Sequence, residues 1–274
     1  MNCDQLTKKC PFCGKTILTI MGAIAKDEMG DSEKSALRGL EIACDCEQAI
    51  YAQNKLQAEI EASRHQEKAK EKAKRLARRL ANSKMPEVWH QRGLASWLRR
   101  TSNEQAAYEA AVAFGKRIQA KEHPSLYIAG PIGTGKTMLA SCLALDLIRC
   151  GHAVIWSNVG DLLRSLRATF SDRERNEEDV INEFVDAPIL VLDDLGKERP
   201  TEWAAEQLFA IFNRRYDWGK PTIVTTNYGG ADLIKRLTPR PDATGYADDT
   251  TAQAIVDRLR GTCSTIFLEG ESKR

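Results

Sequence analysis

The chain is 274 residues long, 28% charged and 42% hydrophobic, with a formal net charge of +2. That length allows one domain of ordinary size plus a smaller appendage, and the near balance of charge gives no global signal for a nucleic-acid partner. No apolar run approaches the ~20 residues needed to cross a bilayer, and the start, MNCDQLTKKCPFCG, places cysteines and lysines where a secretory signal needs an apolar core, so a cytoplasmic protein without membrane segments is expected.

Residues 1–46 carry five of the eight cysteines. In Cys10-Pro11-Phe12-Cys13-Gly14 two thiolates two residues apart can grip one ion, and the glycine permits the tight turn. Cys44-Asp45-Cys46 would supply a second pair, giving a four-cysteine zinc site with Cys3 as a spare ligand. In a cytosolic chain such cysteines are metal ligands or core thiols rather than disulfides. Cys142, Cys150 and Cys263 fall in core-like segments and are expected simply to pack.

Residues 47–84 contain no glycine or proline and are built from Ala, Glu, Gln, Lys and Arg, the composition of a long exposed helix that Pro86 ends. Ala69, Ala73, Leu76 and Leu80 form a narrow apolar stripe suited to one partner or to the adjacent domain. Between Arg64 and Lys84 nine Lys/Arg stand against two Glu. Such a run is a solvated face, or a connector that touches nucleic-acid phosphate or an acidic partner.

From residue 85 to 274 the chain reads as one α/β domain. Strand-like runs lie at Leu126–Ala129, Val154–Trp156, Ile189–Leu192, Ile223–Thr226 and Ile266–Leu268, with helical segments such as Met138–Cys150, Asp161–Phe170 and Trp203–Tyr216 among them. Continuous apolar strands with intervening helices predict a five-stranded parallel sheet covered on both faces. Residues 238–250, TPRPDATGYADDT, read as a surface loop.

The first of these strands runs into Gly130-Pro131-Ile132-Gly133-Thr134-Gly135-Lys136-Thr137, a complete G-x-x-x-x-G-K-T, and an apolar helix follows. In that setting backbone N–H groups and the helix N-terminus wrap phosphate oxygens. Lys136 would reach the β- and γ-phosphates and the Thr137 hydroxyl would ligate magnesium, so ATP and Mg2+ are the expected cofactors.

The third strand, PILVL, ends in Asp193-Asp194. Asp193 is expected to hold the magnesium. Asp194 falls where many ATPases carry a glutamate that polarises the attacking water; one methylene shorter, it implies a closer water or slow catalysis. A turn cap is the competing reading of Asp194. Asn227, closing IVTTN, would orient the water or sense the γ-phosphate, or else serve as a turn asparagine before Gly229-Gly230. Arg258 and Arg260 lie on a short helix before the last strand, either as solvated residues or as an arginine finger for another subunit. Arg164, Arg167 and Trp156 could contact single-stranded DNA, although no stacking pattern stands out.

In order, GPIGTGKT, PILVLDDLGKERPTEWAAEQLFAIFNRRYDWGKPTIVTTN, VDRLRG and GESKR resemble the bacterial and phage replicative helicase loaders of the DnaC/DnaI type, AAA+ ATPases of the DnaC/IstB-like group, over about residues 85–274. The resemblance implies an AAA+ P-loop fold and tolerance of the Asp-Asp pair. It also implies Arg258 acting in trans in a homo-oligomer, and Arg274 as a second sensor arginine contacting nucleotide. Lys273 departs from a common tyrosine. With six residues after Leu268, no C-terminal helical lid is expected.

The cysteine module at 1–46 also fits this resemblance, since some loaders carry a zinc-binding, helicase-docking domain there, whereas IstB-type transposition ATPases generally lack it. The expected activity is therefore ATP-dependent loading of a hexameric replicative helicase onto single-stranded DNA, with slow ATP hydrolysis. A transposition ATPase and a nucleotide-gated adaptor that barely hydrolyses ATP are the alternatives.

Overall fold

A computed structural model of the chain describes residues 6–19, 44–170, 176–241 and 247–272. Cys3, Lys273, Arg274 and positions 242–246 of the predicted loop lie outside the described residues. The chain divides into two compact units, Met1–Lys74 and Arg75–Arg274.

In the first unit β1 (Leu6–Lys9) and β2 (Thr16–Thr19) form an antiparallel hairpin, with Lys9 opposite Thr16. Its loop is the cysteine turn: the Gly14 N–H donates to the Cys10 carbonyl at 3.0 Å, and the Cys10 N–H donates to the Lys15 carbonyl at 2.8 Å. Gly14 sits at φ 75°, a conformation that costs glycine nothing.

Helix α1 (Glu47–Asn82) is the long charged helix expected from composition. The predicted apolar stripe is used only in part: Leu76 and Leu80, in the stretch of α1 that belongs to the second unit, pack on that unit's own core, while Ala69 and Ala73 are exposed. The helix stops before Pro86 because Ser83 turns its hydroxyl back to the Leu80 carbonyl at 2.7 Å and Lys84 takes φ 57°. The Ser83 carbonyl then accepts the Trp156 N–H at 2.7 Å, covering part of a sheet edge.

In the second unit, α2 (Ser102–Gln119) opens with a full capping box between Thr101 and Glu104. It is followed by β3 (Ser125–Ala129), α3 (Lys136–Arg149), β4 (Val154–Asn158), α4 (Val159–Ala168) and α5 (Glu177–Asp186). Next come β5 (Ile189–Leu195), α6 (Glu202–Asp217), β6 (Thr222–Thr226), α7 (Gly230–Leu237), α8 (Thr250–Thr262) and β7 (Cys263–Phe267). The five strands β3 to β7 make one sheet in the order β4-β5-β6-β3-β7, parallel throughout.

The unbroken apolar run of β5 follows from burial on both faces. Ile189 and Val191 join the cluster beneath α2 and α3, whereas Leu190 and Leu192 join the cluster beneath α4 to α8. Strand β3 sits where the connections diverge: its own crossover leads over β6 and β5 to the edge strand β4, while the chain leaving β6 returns on the other side as β7. Crevices for ligands open at the carboxyl ends of strands at such a switch point, and here β3 runs into the glycine-rich loop.

Candidate functional site

The loop from Gly130 to Gly135 joins β3 to α3, whose first residue is Lys136. It is closely packed: a Cβ on Gly130 or Gly133 would stand 2.1 Å from the Leu268 carbonyl oxygen or the Ser272 hydroxyl, so the chain following β7 lies directly against the loop. The Thr134 hydroxyl donates to the Pro131 carbonyl at 2.9 Å, and Lys136, buried, curls back so that Nζ donates to the same oxygen at 2.7 Å. Ile132 is exposed. The indole of Trp97 lies against Gly135 and donates to the Glu104 carbonyl at 3.1 Å, a wall of the site that no sequence motif announces.

The two aspartates are separated by a β-bulge. Leu192 pairs with Val224 and Leu195 with Thr226, so Asp193 and Asp194 together oppose the single residue Thr225. Asp194 takes φ 64°, the left-handed conformation that a short polar side chain tolerates better than most. The bulge breaks strict alternation and re-aims the second carboxylate, which is how two adjacent acids can end one strand with different surroundings.

Asp193 is 3% exposed. It accepts the Thr137 hydroxyl at 2.8 Å on Oδ1 and 3.1 Å on Oδ2, and the Thr225 hydroxyl at 2.6 Å. Burial pushes its carboxyl above the usual range; the two hydroxyls work against that and the neighbouring Asp194 charge adds to it. Thr225 in turn accepts the Asp194 N–H at 2.9 Å. Thr225 is therefore a positioning residue that pattern reading overlooked, hidden inside an apparently ordinary strand.

Asp194 faces outward. Its Oδ2 lies 2.6 Å from Lys197 Nζ and 3.5 Å from Asn158 Nδ2. Nearby Glu198 accepts the Gly196 N–H at 2.9 Å through Oε2, while its buried Oε1 finds no partner among the described residues. Burial raises the Glu198 carboxyl.

Asn227 follows β6 directly, and Thr226 pairs with Ala129, so Asn227 stands at the sheet edge from which the glycine-rich loop departs. Arg258 is elsewhere. It lines a small pocket with Ser125, Thr222 and Cys263, the first residues of β3, β6 and β7. At ~3.3 Å per residue this amino edge is roughly 15 Å from the loop, so Arg258 cannot complete the site of its own chain. Its Nε donates to Asn213 Oδ1 at 2.6 Å, and the guanidinium stacks 4.9 Å from the Phe209 ring centre. Arg260 instead packs against Gly230.

Of the residues considered for DNA contact, Trp156 is buried and unavailable for stacking, and Arg164 pairs with Asp161. Arg167 lies 4.9 Å from the Trp203 ring, and Phe170, 67% exposed, meets Trp203 edge-on at 5.8 Å. This pair escaped the sequence reading because thirty-three positions separate its members.

In the first unit the Sγ atoms of Cys10, Cys13, Cys44 and Cys46 all lie within 4.8 Å of one another. Cys13 and Cys44 are 3.4 Å apart, and Cys10 and Cys46 are 3.8 Å apart. Four sulfurs at ~2.3 Å from a tetrahedral zinc stand about 3.8 Å from each other, so the donor set fits zinc in both chemistry and spacing. Of the remaining cysteines, Cys142 is buried and Cys263 half-buried, but Cys150 is exposed at the end of α3 rather than packed in the core.

The described helices include none long and apolar enough to cross a membrane. Among solved structures, the fold is similar to that of the DnaC helicase loader (TM-score 0.57, 24% identity, 67% of this chain and 100% of that one). It is likewise similar to DnaI (TM-score 0.55, 24% identity, 70% and 95%) and to Aquifex aeolicus DnaA (TM-score 0.52, 21% identity, 66% and 50%).

In sequence the chain is 30% identical over 165 residues to an IS21 ATP-binding protein of Pseudomonas aeruginosa (60% of this chain, 56% of the relative). It is 25% identical over 150 residues to the replicative helicase loader DnaI of Bacillus subtilis (54% and 47%) and 28% identical over 116 residues to DnaC of Escherichia coli (42% and 47%). The chain thus spans about half the length of these curated relatives. The IstB-like ATP binding protein family matches residues 34–274. With an α/β AAA+ fold and most of its length inside that match, the chain belongs to the IstB-like ATP-binding family.

Proposed function

We propose that this protein is an ATP-driven loader that places a hexameric replicative DNA helicase on single-stranded DNA in the cytoplasm. The observation that carries this reading is the four-cysteine centre ahead of the ATP-binding unit, a small module that can present a docking surface. Residues 1–46 would form that module, 47–84 its connector and 85–274 the ATPase.

In the ATPase, Gly130–Thr137 and Arg274 would hold ATP. Thr137 and Asp193 would hold Mg2+, which supplies neutralisation of phosphate charge when bound. Lys136 would bind β- and γ-phosphate oxygens, Asp194 would orient the attacking water, and Asn227 would fix it from the adjacent strand. Arg258 would enter from a neighbouring copy and stabilise charge on the transferred phosphoryl group. Phe170 and Trp203, with Arg167 beside them, offer nucleobases a stacking face.

A second reading has its own support: the family name and the Pseudomonas aeruginosa relative point to a transposition ATPase. The full chain and a Cys10→Ser/Cys13→Ser variant, each with ATP and single-stranded DNA, decide between them when mixed with the cell's replicative helicase. The loader reading expects helicase retained and delivered to DNA by the intact chain only. Equal failure of both proteins, with capture of a transposase instead, would favour the second reading. If wild type turns over ATP no faster than Lys136→Ala, the protein acts as a nucleotide-gated adaptor.

A further inference from the structure

The β5–α6 loop places a cation on the one acid expected to face water. Lys197 Nζ lies 2.6 Å from Asp194 Oδ2, and this is a half-open pair: the Lys197 side chain is 47% exposed and that of Asp194 19%. The loop fixes the geometry. Asp194 at φ 64° and Gly196 at φ 89° form a turn in which the Lys197 N–H reaches the Asp194 carbonyl at 3.3 Å, and this brings the two side chains to the same side. Asn158 approaches the same carboxylate oxygen. The acid is therefore turned toward an ammonium.

The same loop leads to the exposed aromatic face. Arg199, also exposed, is two residues beyond Lys197, and Trp203 is four beyond that, with Phe170 and Arg167 against it. Lys197 is thus an exposed cation on the chain segment that links Asp194, the acid assigned to orient water, to the aromatic pair assigned to stack bases.

We propose that Lys197 is a displaceable latch: it holds the Asp194 carboxylate in the resting protein and exchanges it for a phosphate of bound single-stranded DNA, which frees Asp194 for hydrolysis. This rests on the ATPase reading above. A partly exposed ion pair is weak enough to be exchanged, and its loss corresponds to a change of about two- to five-fold in rate. Lys197 acts through Asp194 and is a positioning residue.

The test uses the full chain, Lys197→Met and Lys197→Arg, with Mg-ATP and an oligodeoxythymidylate. Lys197→Met should raise turnover without DNA by about two- to five-fold, lose most of the further stimulation by DNA, and leave ATP affinity unchanged. Its DNA affinity should fall less steeply with salt, the log–log slope shrinking by about 0.7. Lys197→Arg should behave as wild type.

Unchanged turnover with full DNA stimulation in Lys197→Met would overturn the latch, as would turnover that falls. An unchanged salt slope would overturn the phosphate contact, and weakened ATP affinity would assign Lys197 to the nucleotide's phosphates instead. If wild type responds to DNA and Lys197→Met responds identically, the latch fails and the ATPase reading stands. If wild type hydrolyses no ATP, that reading falls and takes the latch with it.

Discussion

Thr137 donates its hydroxyl to the buried carboxylate of Asp193 at 2.8 Å, joining the first turn of α3 to the end of β5. These two oxygens come from segments fifty-six positions apart in the chain, and both are hard donors suited to magnesium. The Thr225 hydroxyl completes the set on the carboxylate side, so the pair is held in place before any ion arrives.

That arrangement gives a pH dependence with a definite sign. Burial raises Asp193 above its unfolded value, so the folded protein binds the proton more tightly. The stabilisation this provides is complete below the unfolded carboxylate value and is lost as pH rises through the folded one. Without magnesium, thermal stability should decline over that acidic window; Mg-ATP should restore it, increasingly so at higher pH. Asp193→Asn should flatten the decline and lower turnover at least a hundred-fold. Denaturation curves across pH, with and without Mg-ATP, check this, and an Asp193→Asn profile that tracks wild type would refute it.

Arg258 at the opposite edge of the sheet makes a subunit-mixing experiment informative. Arg258→Ala and Lys136→Ala should each be nearly inactive, by roughly a thousand-fold for the arginine. Mixed together, they should recover part of the wild-type turnover, because one copy keeps an intact nucleotide site and the other an intact arginine. Recovery should rise with protein concentration. No recovery at any ratio would remove Arg258 from the reaction.

What the sequence made legible followed from local pattern. The five strands and the glycine-rich loop were readable because apolar runs and the G-x-x-x-x-G-K-T spacing are contiguous. The cysteine set was readable because its spacing is short within each pair. The bulge that separates Asp193 from Asp194 was not, since it arises only from pairing β5 with β6. Thr225 and the Phe170–Trp203 pair gain meaning from neighbours distant in sequence, Lys197 from the turn that Asp194 and Gly196 make at positive φ, and Trp156, considered for DNA contact, is buried beside the Ser83 connection.

Zinc removal should act on the first unit alone. Its described buried apolar set is little more than Cys10, Cys44 and Ala49, far short of what a domain needs without a metal or another cross-link. A chelator, or Cys10→Ser, should abolish hydrogen-exchange protection in 6–19 and around the start of α1. The ATP-binding unit should keep its melting temperature within a degree or two. Metal analysis should return one zinc per chain in wild type; protection that survives zinc loss would show that the module folds without it.

Arg215 supplies the sharpest stability prediction, and it concerns a charge outside the nucleotide site. Only 1% exposed, it gives Nη1 to the carbonyls of Phe184, Val185 and Ala187 at 2.8, 2.9 and 2.8 Å, Nη2 to Pro221 at 2.5 Å and Nε to the Thr222 hydroxyl at 2.9 Å. Burial works against its charge, and Asp186 offsets part of that. The rest of the compensation comes from the C-terminal end of α5, where unpaired carbonyls carry partial negative charge. One guanidinium thereby ties α5, the entry to β5 and the start of β6 together. Arg215→Met would leave those acceptors buried without donors, at a cost of about 3–5 kcal/mol. Arg215→Lys keeps the charge but not the planar fork and should lose less, on the order of 1–3 kcal/mol. Chemical denaturation of the three proteins measures both values, and a Met variant within 1 kcal/mol of wild type would show that water can replace the arginine.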